Sequence, residues 1–152
     1  MSPIEVVGEA QLDELLPLVR GYCDFYGVSP TDEALLALSR ALIADPEREG
    51  VQLLARDDSG RAVGFATIFW TWSTSSAARV GTMNDLFVAA DARGTGAAEA
   101  LIAACVERCR ERDAVRLEWQ TALDNHRAQA LYDRVGGSSE RWLDYSLPVD
   151  AG

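Results

Sequence analysis

The chain contains no lysine: its fourteen basic residues are all arginine. That absence excludes phosphate binding through a Walker-type lysine and Schiff-base chemistry on a lysine amine. Histidine is nearly absent as well. His126 is the only one, and it sits at the expected start of a helix, where a solvated role suits it better than catalysis. The three cysteines are an odd count, which argues against a disulfide framework. Cys105 and Cys109 lie one helical turn apart with no further ligand partners nearby, so packing is favoured over metal binding and no metal is expected. No stretch reaches the roughly 18 apolar residues of a membrane span. The start, Met1 to Val7, lacks a basic region followed by an apolar run, so the expected location is the cytoplasm.

What remains is a chain of 152 residues, 48% hydrophobic and 25% charged, which fits one soluble domain over residues 1–152. The formal charge of −10 disfavours nucleic acid and anionic membranes as partners, since both need a basic face. An acidic surface suits a cationic substrate, and it also serves plain solubility. There are no internal repeats and no low-complexity tract.

Hydrophobic periodicity and turn chemistry give the element order. Ile4–Val7 reads as a short strand, and Gln11–Phe25 as a helix with Leu12, Leu15, Leu16, Val19 and Tyr22 on one face, stopped by Gly27. Ser29-Pro30-Thr31-Asp32 resembles a capping box with proline at the first helical position, launching a second helix to about Ala44. Val51–Arg56 and Ala62–Trp70 read as a hairpin around Asp57-Asp58-Ser59-Gly60, and Thr71–Ala78 as a loop. A strand near Gly81–Val88 is followed by Arg93-Gly94-Thr95-Gly96 and then by a helix with Ala98, Leu101, Ile102, Cys105 and Cys109 on one face. Ala114–Thr121 is a further strand. Asn125 opens a helix closed by Gly136-Gly137, and Trp142–Leu147 reads as a last strand. The crossover helix after the glycine loop makes its flanking strands parallel, so the fold class is α+β (α/β) with a mixed sheet.

The glycine loop is the most informative stretch. Two glycines around Thr95 let backbone N–H groups turn inward, and the helix that follows adds its positive dipole end, which together make an anion site. A dinucleotide-binding fingerprint would need a third glycine where Glu99 stands and a place near the beginning of a longer chain.

Arg93-Gly94-Thr95-Gly96-Ala97-Ala98, together with Asn125, Ala128, Leu131, Tyr132 and Gly136 one helix and one strand later, resembles the GCN5-related N-acetyltransferase (GNAT) superfamily. Asp85-Leu86-Phe87-Val88 and Asn125-His126-Arg127-Ala128-Gln129 are most similar to the yeast histone-and-polyamine acetyltransferase group and, more distantly, to the diamine acetyltransferases. The resemblance implies a central mixed sheet flanked by helices, acetyl-CoA as cosubstrate without a metal, an amine acceptor of the small-molecule or peptide kind, and a homodimer. It also implies roles for particular residues. Backbone groups of Leu86, Phe87 and Val88 would hold the pantetheine arm and the acetyl carbonyl at a bulge, and Arg93 to Ala98 would cradle the pyrophosphate. Asn125 would contact CoA, cap the helix, or do both. Tyr132 would protonate the leaving thiolate, since a phenol is protonated at neutral pH.

The proton acceptor is where the chain departs from that pattern. The diamine acetyltransferases carry glutamate at the position of Asn84, and an amide cannot take a proton in its place. Asp85 is the substitute candidate, as acceptor or as a structural or substrate-binding carboxylate, with Glu118 after it. Tyr26 and Trp72 are candidate aromatic faces for a substrate ammonium. Asparagine at position 84 also admits a rival reading, an acyl-CoA-binding sensor that has lost catalysis.

Overall fold

The computed structural model describes residues 3–150. They fall into two compact units, one running to Gln120 and the other beginning at Thr121.

The first unit holds β1 (Glu5–Val6), α1 (Leu12–Phe25), α2 (Asp32–Ala44), β2 (Gly50–Arg56), β3 (Ala62–Ser73), β4 (Ala78–Val88), α3 (Ala97–Glu111) and β5 (Ala114–Glu118). Its five strands pair in sequence order. The β1–β2, β2–β3 and β3–β4 pairs are antiparallel and β4–β5 is parallel, as a crossover through α3 requires. Strand period two assigns the sheet faces. A Cβ built on Gly64 would meet Leu101 of α3, whereas the neighbouring Phe65 packs in the cluster of Leu12, Leu15, Leu18, Val19 and Cys23 from α1. Helices α1 and α3 therefore lie on opposite faces. Phe65, Leu54, Ile68 and Leu101 are fully buried between them.

Local chemistry explains the helix ends. Gly27 has φ +68°, and the Val28 amide bonds back to the Cys23 carbonyl at 3.0 Å, closing α1 in a Schellman turn. The start of α2 differs from the sequence expectation. Thr31 is the cap, its hydroxyl accepting from the Ala34 amide at 3.1 Å, and Pro30 stands before the cap rather than in the first turn. The expected loop at Thr71–Ala78 is also shorter than read. Strand β3 continues to Ser73, which pairs with Ala78, so only residues 74–77 turn. The polar run Ser73 to Ser76 concealed this, because the end of β3 lies at the hairpin tip, where no core demands apolar side chains.

The second unit contains α4 (His126–Arg134). Asn125 caps it by accepting from the Ala128 amide at 3.2 Å, and Gly136, at φ +90°, closes it with the Gly137 amide on the Tyr132 carbonyl at 2.9 Å. The strand expected at Trp142–Leu147 is not formed. Residues 142–147 carry no regular secondary structure, and Trp142, Leu143, Tyr145 and Leu147 are 80–90% exposed. Alternation alone does not make a strand without an edge to pair with.

Candidate active site

The site grows out of one irregularity in β4. From Gly64↔Val88 to Thr67↔Asp85 the β3–β4 register is regular, and the next pair is Ile68↔Met83. Asn84 is therefore an extra residue, a β-bulge, which bends the strand and leaves backbone groups unpaired. On the other side β4 pairs with β5 only as far as Thr82, opposite Glu118. Beyond that fork, among the described residues, Met83 to Val88 have a strand partner in β3 alone. This edge contains Leu86, Phe87 and Val88, the three residues the sequence singled out.

The chain then passes through a short turn, Ala90–Ala92, into the glycine loop. Gly94 has φ +78° and Gly96 φ +89°, so both occupy the left-handed region that side chains disfavour. Gly96 is also the cap of α3, and the first bond closing the helix runs from the Ala100 amide to the Gly96 carbonyl at 3.0 Å. The amides of Ala97, Ala98 and Glu99 precede that bond and form the donor end of α3. The Thr95 hydroxyl donates to the Ala92 carbonyl at 2.6 Å and pins the loop's shape. Arg93 lies exposed at its start. A loop of this geometry suits a pyrophosphate.

Asp85 follows the bulge. As a residue it keeps some exposure, but its Oδ1 is shut off from solvent and has no hydrogen-bond partner. Burial pushes its carboxyl up to about 6, and hydrogen bonds from Thr67 and from the Asn84 side chain pull only partly against that shift. Asn84 itself is exposed. Glu118 stands at the fork, but it is exposed and paired with Arg116 at 3.0 Å.

An aromatic line joins the end of α1 to this edge. Tyr26 packs on Tyr22 at 4.9 Å between centroids, Tyr22 on Phe65 at 6.1 Å, and Phe65 on Phe87 at 6.2 Å. Gly21 makes room for it, since a Cβ there would stand 2.8 Å from the Phe87 ring. Tyr26, 59% exposed, is thus tied to the β4 edge by this line. Trp72 is not. It lies five register positions beyond Thr67 along β3, about 17 Å at strand spacing, and its ring face is already covered by the Arg79 guanidinium at 5.1 Å. Asn125 and Tyr132 belong to the second unit. Cys105 and Cys109 are buried free thiols, as the packing reading expects. Among the described residues no cluster of three His, Cys, Asp or Glu side chains could hold a metal ion, and no helix is long and apolar enough to cross a membrane.

A bulged strand that forks from its parallel neighbour and runs into a two-glycine anion loop at the head of the crossover helix is the arrangement that the resemblance to N-acetyltransferases implies. The comparisons agree. Residues 15–137 match the model of the acetyltransferase (GNAT) family, and the chain belongs to that family. It is 30% identical over 138 residues to an uncharacterized N-acetyltransferase, YhfO, of Bacillus subtilis (strain 168), covering 90% of this chain and 91% of that protein. It is 32% identical over 117 residues to the D-amino-acid N-acetyltransferase HPA3 of Saccharomyces cerevisiae, covering 76% of this chain and 71% of the yeast protein. A crystal structure of a probable acetyltransferase matches with a TM-score of 0.84 at 29% identity, over 99% of this chain and 100% of the other. The chain is therefore an acyl-CoA-dependent N-acetyltransferase.

The sequence missed two parts of this site. Gln52 and Thr67 are polar residues inside otherwise apolar strands, yet both are buried, at 5% and 1% exposure. Their signal was that interruption of the apolar runs.

Proposed function

We propose that the protein transfers acetyl from acetyl-CoA to a primary amine of a small cationic molecule, amino acid or peptide, by direct attack within a ternary complex. The observation that carries this reading is the unpaired edge of β4 behind the bulge at Asn84, continuous with the glycine loop. Backbone donors on the edge near Phe87 and Val88 would polarise the thioester carbonyl, an interaction whose loss typically costs about 2.7 to 4 kcal/mol. Amides from Gly94 to Ala98, with Arg93, would hold the pyrophosphate.

Asp85 takes the amine's proton in this reading. A carboxyl held near 6 is ionised at pH 7.5 and is a better acceptor than an ordinary aspartate. Asp85 would act directly or through a water chain. Asn84 then has no need to be a base, which removes the main argument for a sensor without catalysis. Tyr132 is the proposed donor to the departing thiolate, on the strength of its motif position in α4. Tyr26 and Asn84 are the proposed contacts to the acceptor. The yeast relative's name, a D-amino-acid N-acetyltransferase, supports including amino acids among the acceptors.

The test is CoA thiol release from acetyl-CoA with a panel of polyamines, D- and L-amino acids and a lysine-rich peptide. Release that depends on at least one amine is expected, whereas CoA binding with no amine-dependent release across the panel overturns the reading. Tyr132→Phe should lower kcat roughly 100-fold with little change in KM for acetyl-CoA. Full turnover under chemistry-limited conditions would remove Tyr132 from the acid role.

A further inference from the structure

Three side chains are buried and polar in the first unit, namely Ser39, Gln52 and Thr67, and they form one row. The Ser39 hydroxyl, on α2, donates to Gln52 Oε1 at 2.7 Å, and Gln52 Nε2 donates to Thr67 Oγ1 at 3.2 Å. Gln52 and Thr67 are direct cross-strand partners, and so are Thr67 and Asp85. With its oxygen occupied as an acceptor, Thr67 has its own hydroxyl hydrogen left to give, and the residue directly across the strand pair from it is Asp85. Every donor in the row thus points the same way, from α2 across β2 and β3 to the carboxylate beside the bulge.

We propose that Ser39, Gln52 and Thr67 are positioning residues for Asp85, a one-way hydrogen-bond chain that holds the carboxylate in its ionised form and leaves Oδ1 as the oxygen that receives a proton. This rests on the reading of Asp85 as proton acceptor only for its catalytic consequence. The chain's hold on the carboxylate stands without it. Two observations carry the proposal. The first is economy: three polar groups in an apolar core would each cost stability if unmatched, and they are matched in a single line that leads to the cross-strand partner of Thr67, Asp85, whose Oδ1 is buried and without a hydrogen-bond partner. The second is the orientation of the Gln52 amide. Turned over, it would take up the Thr67 hydrogen, and Asp85 would lose its donor.

The surroundings leave this task to the chain. Tyr22 and Cys23 of α1 and Cys105 and Cys109 of α3 are the titratable side chains packed into the core around these strands, and none is a carboxylate or a guanidinium. Glu118 on β5 is exposed and paired with Arg116. The burial that pushes Asp85 up to about 6 is opposed first by the Thr67 side chain.

The experiment follows the Asp85 carboxyl carbon by NMR through a pH titration of the whole chain, assigned by its disappearance in Asp85→Asn. Thr67→Val, which keeps the shape and removes the hydroxyl, should raise the midpoint by roughly one pH unit, and Thr67→Ser should restore it. Gln52→Met and Ser39→Ala should raise it by progressively less, because each acts through the next. A folded Thr67→Val with an unmoved midpoint overturns the proposal, as does a Thr67→Ser that behaves like Thr67→Val. If Thr67→Val does not fold, Gln52→Met and Ser39→Ala decide in the same way. The acid limb of kcat/KM, read in parallel, separates the two claims. A midpoint that moves while the kinetic limb stays still upholds the chain's hold on Asp85 and overturns Asp85 as the proton acceptor.

Discussion

Asp85→Asn should lower kcat/KM at pH 8 by roughly 100-fold or more while making the protein more stable at that pH. The two effects share one cause. Asp85 is raised from 3.8 to about 6 in the folded chain, mainly by burial, so folding favours its protonated form. The stability this provides is fully present below pH 3.8, falls away as pH rises through 6, and is absent at pH 8, where the buried carboxylate is ionised. A shift of this size corresponds to roughly 2 to 3 kcal/mol. Asparagine carries no charge to bury, so the melting temperature at pH 8 should rise by several degrees, and the gain should vanish near pH 3.5. Thermal melts at the two pH values, beside kcat/KM at pH 8, read both effects. A variant that loses activity and stability together at pH 8 would mean that Asp85 is structural rather than strained for function.

Gly94→Val should raise KM for acetyl-CoA by about 100-fold with a much smaller change in KM for the amine. A Cβ at Gly94 would meet nothing within 4 Å, so the substitution causes no clash within the protein. Its cost is backbone strain at φ +78°, on the order of 1 to 2 kcal/mol, together with a side chain set on a loop whose amides must reach a phosphate. Gly60, in the β2–β3 turn, provides the control. It has φ +89° and equally open space, but stands in a hairpin with no proposed ligand. Gly60→Val should therefore lose similar stability and leave KM for acetyl-CoA within about twofold. If both variants bind acetyl-CoA like the parent, the loop is an ordinary turn.

These two expectations mark how far the sequence could be read. The loop was legible because glycine at a left-handed position is a local requirement, visible without any knowledge of neighbours. The helix caps at Asn125 and Gly136 were legible for the same reason. The resemblance implied a bulge in this strand but not its place, since an extra residue exists only relative to the strand it pairs with, and nothing within Met83-Asn84-Asp85-Leu86 distinguishes the supernumerary one. The row Ser39–Gln52–Thr67 was hidden likewise, because its members are 13 and 15 residues apart and meet only through strand register. The five register positions along β3 between Thr67 and Trp72 likewise became visible only once the strand pairing was known. Trp142–Leu147 showed a strand's alternation and formed no ladder.

The bulge at Asn84 places the site under a counting rule rather than a spelling rule. Because side chains alternate along a strand, one surplus residue reverses the phase of everything beyond it: Met83 keeps its partnership with Ile68 while Asp85 takes Thr67. Many side chains could stand at position 84 and keep that phase. Removing the position altogether would leave Met83 opposite Ile68 and Asp85 opposite Thr67, and would take away only the bend and the unpaired backbone groups that the surplus residue creates.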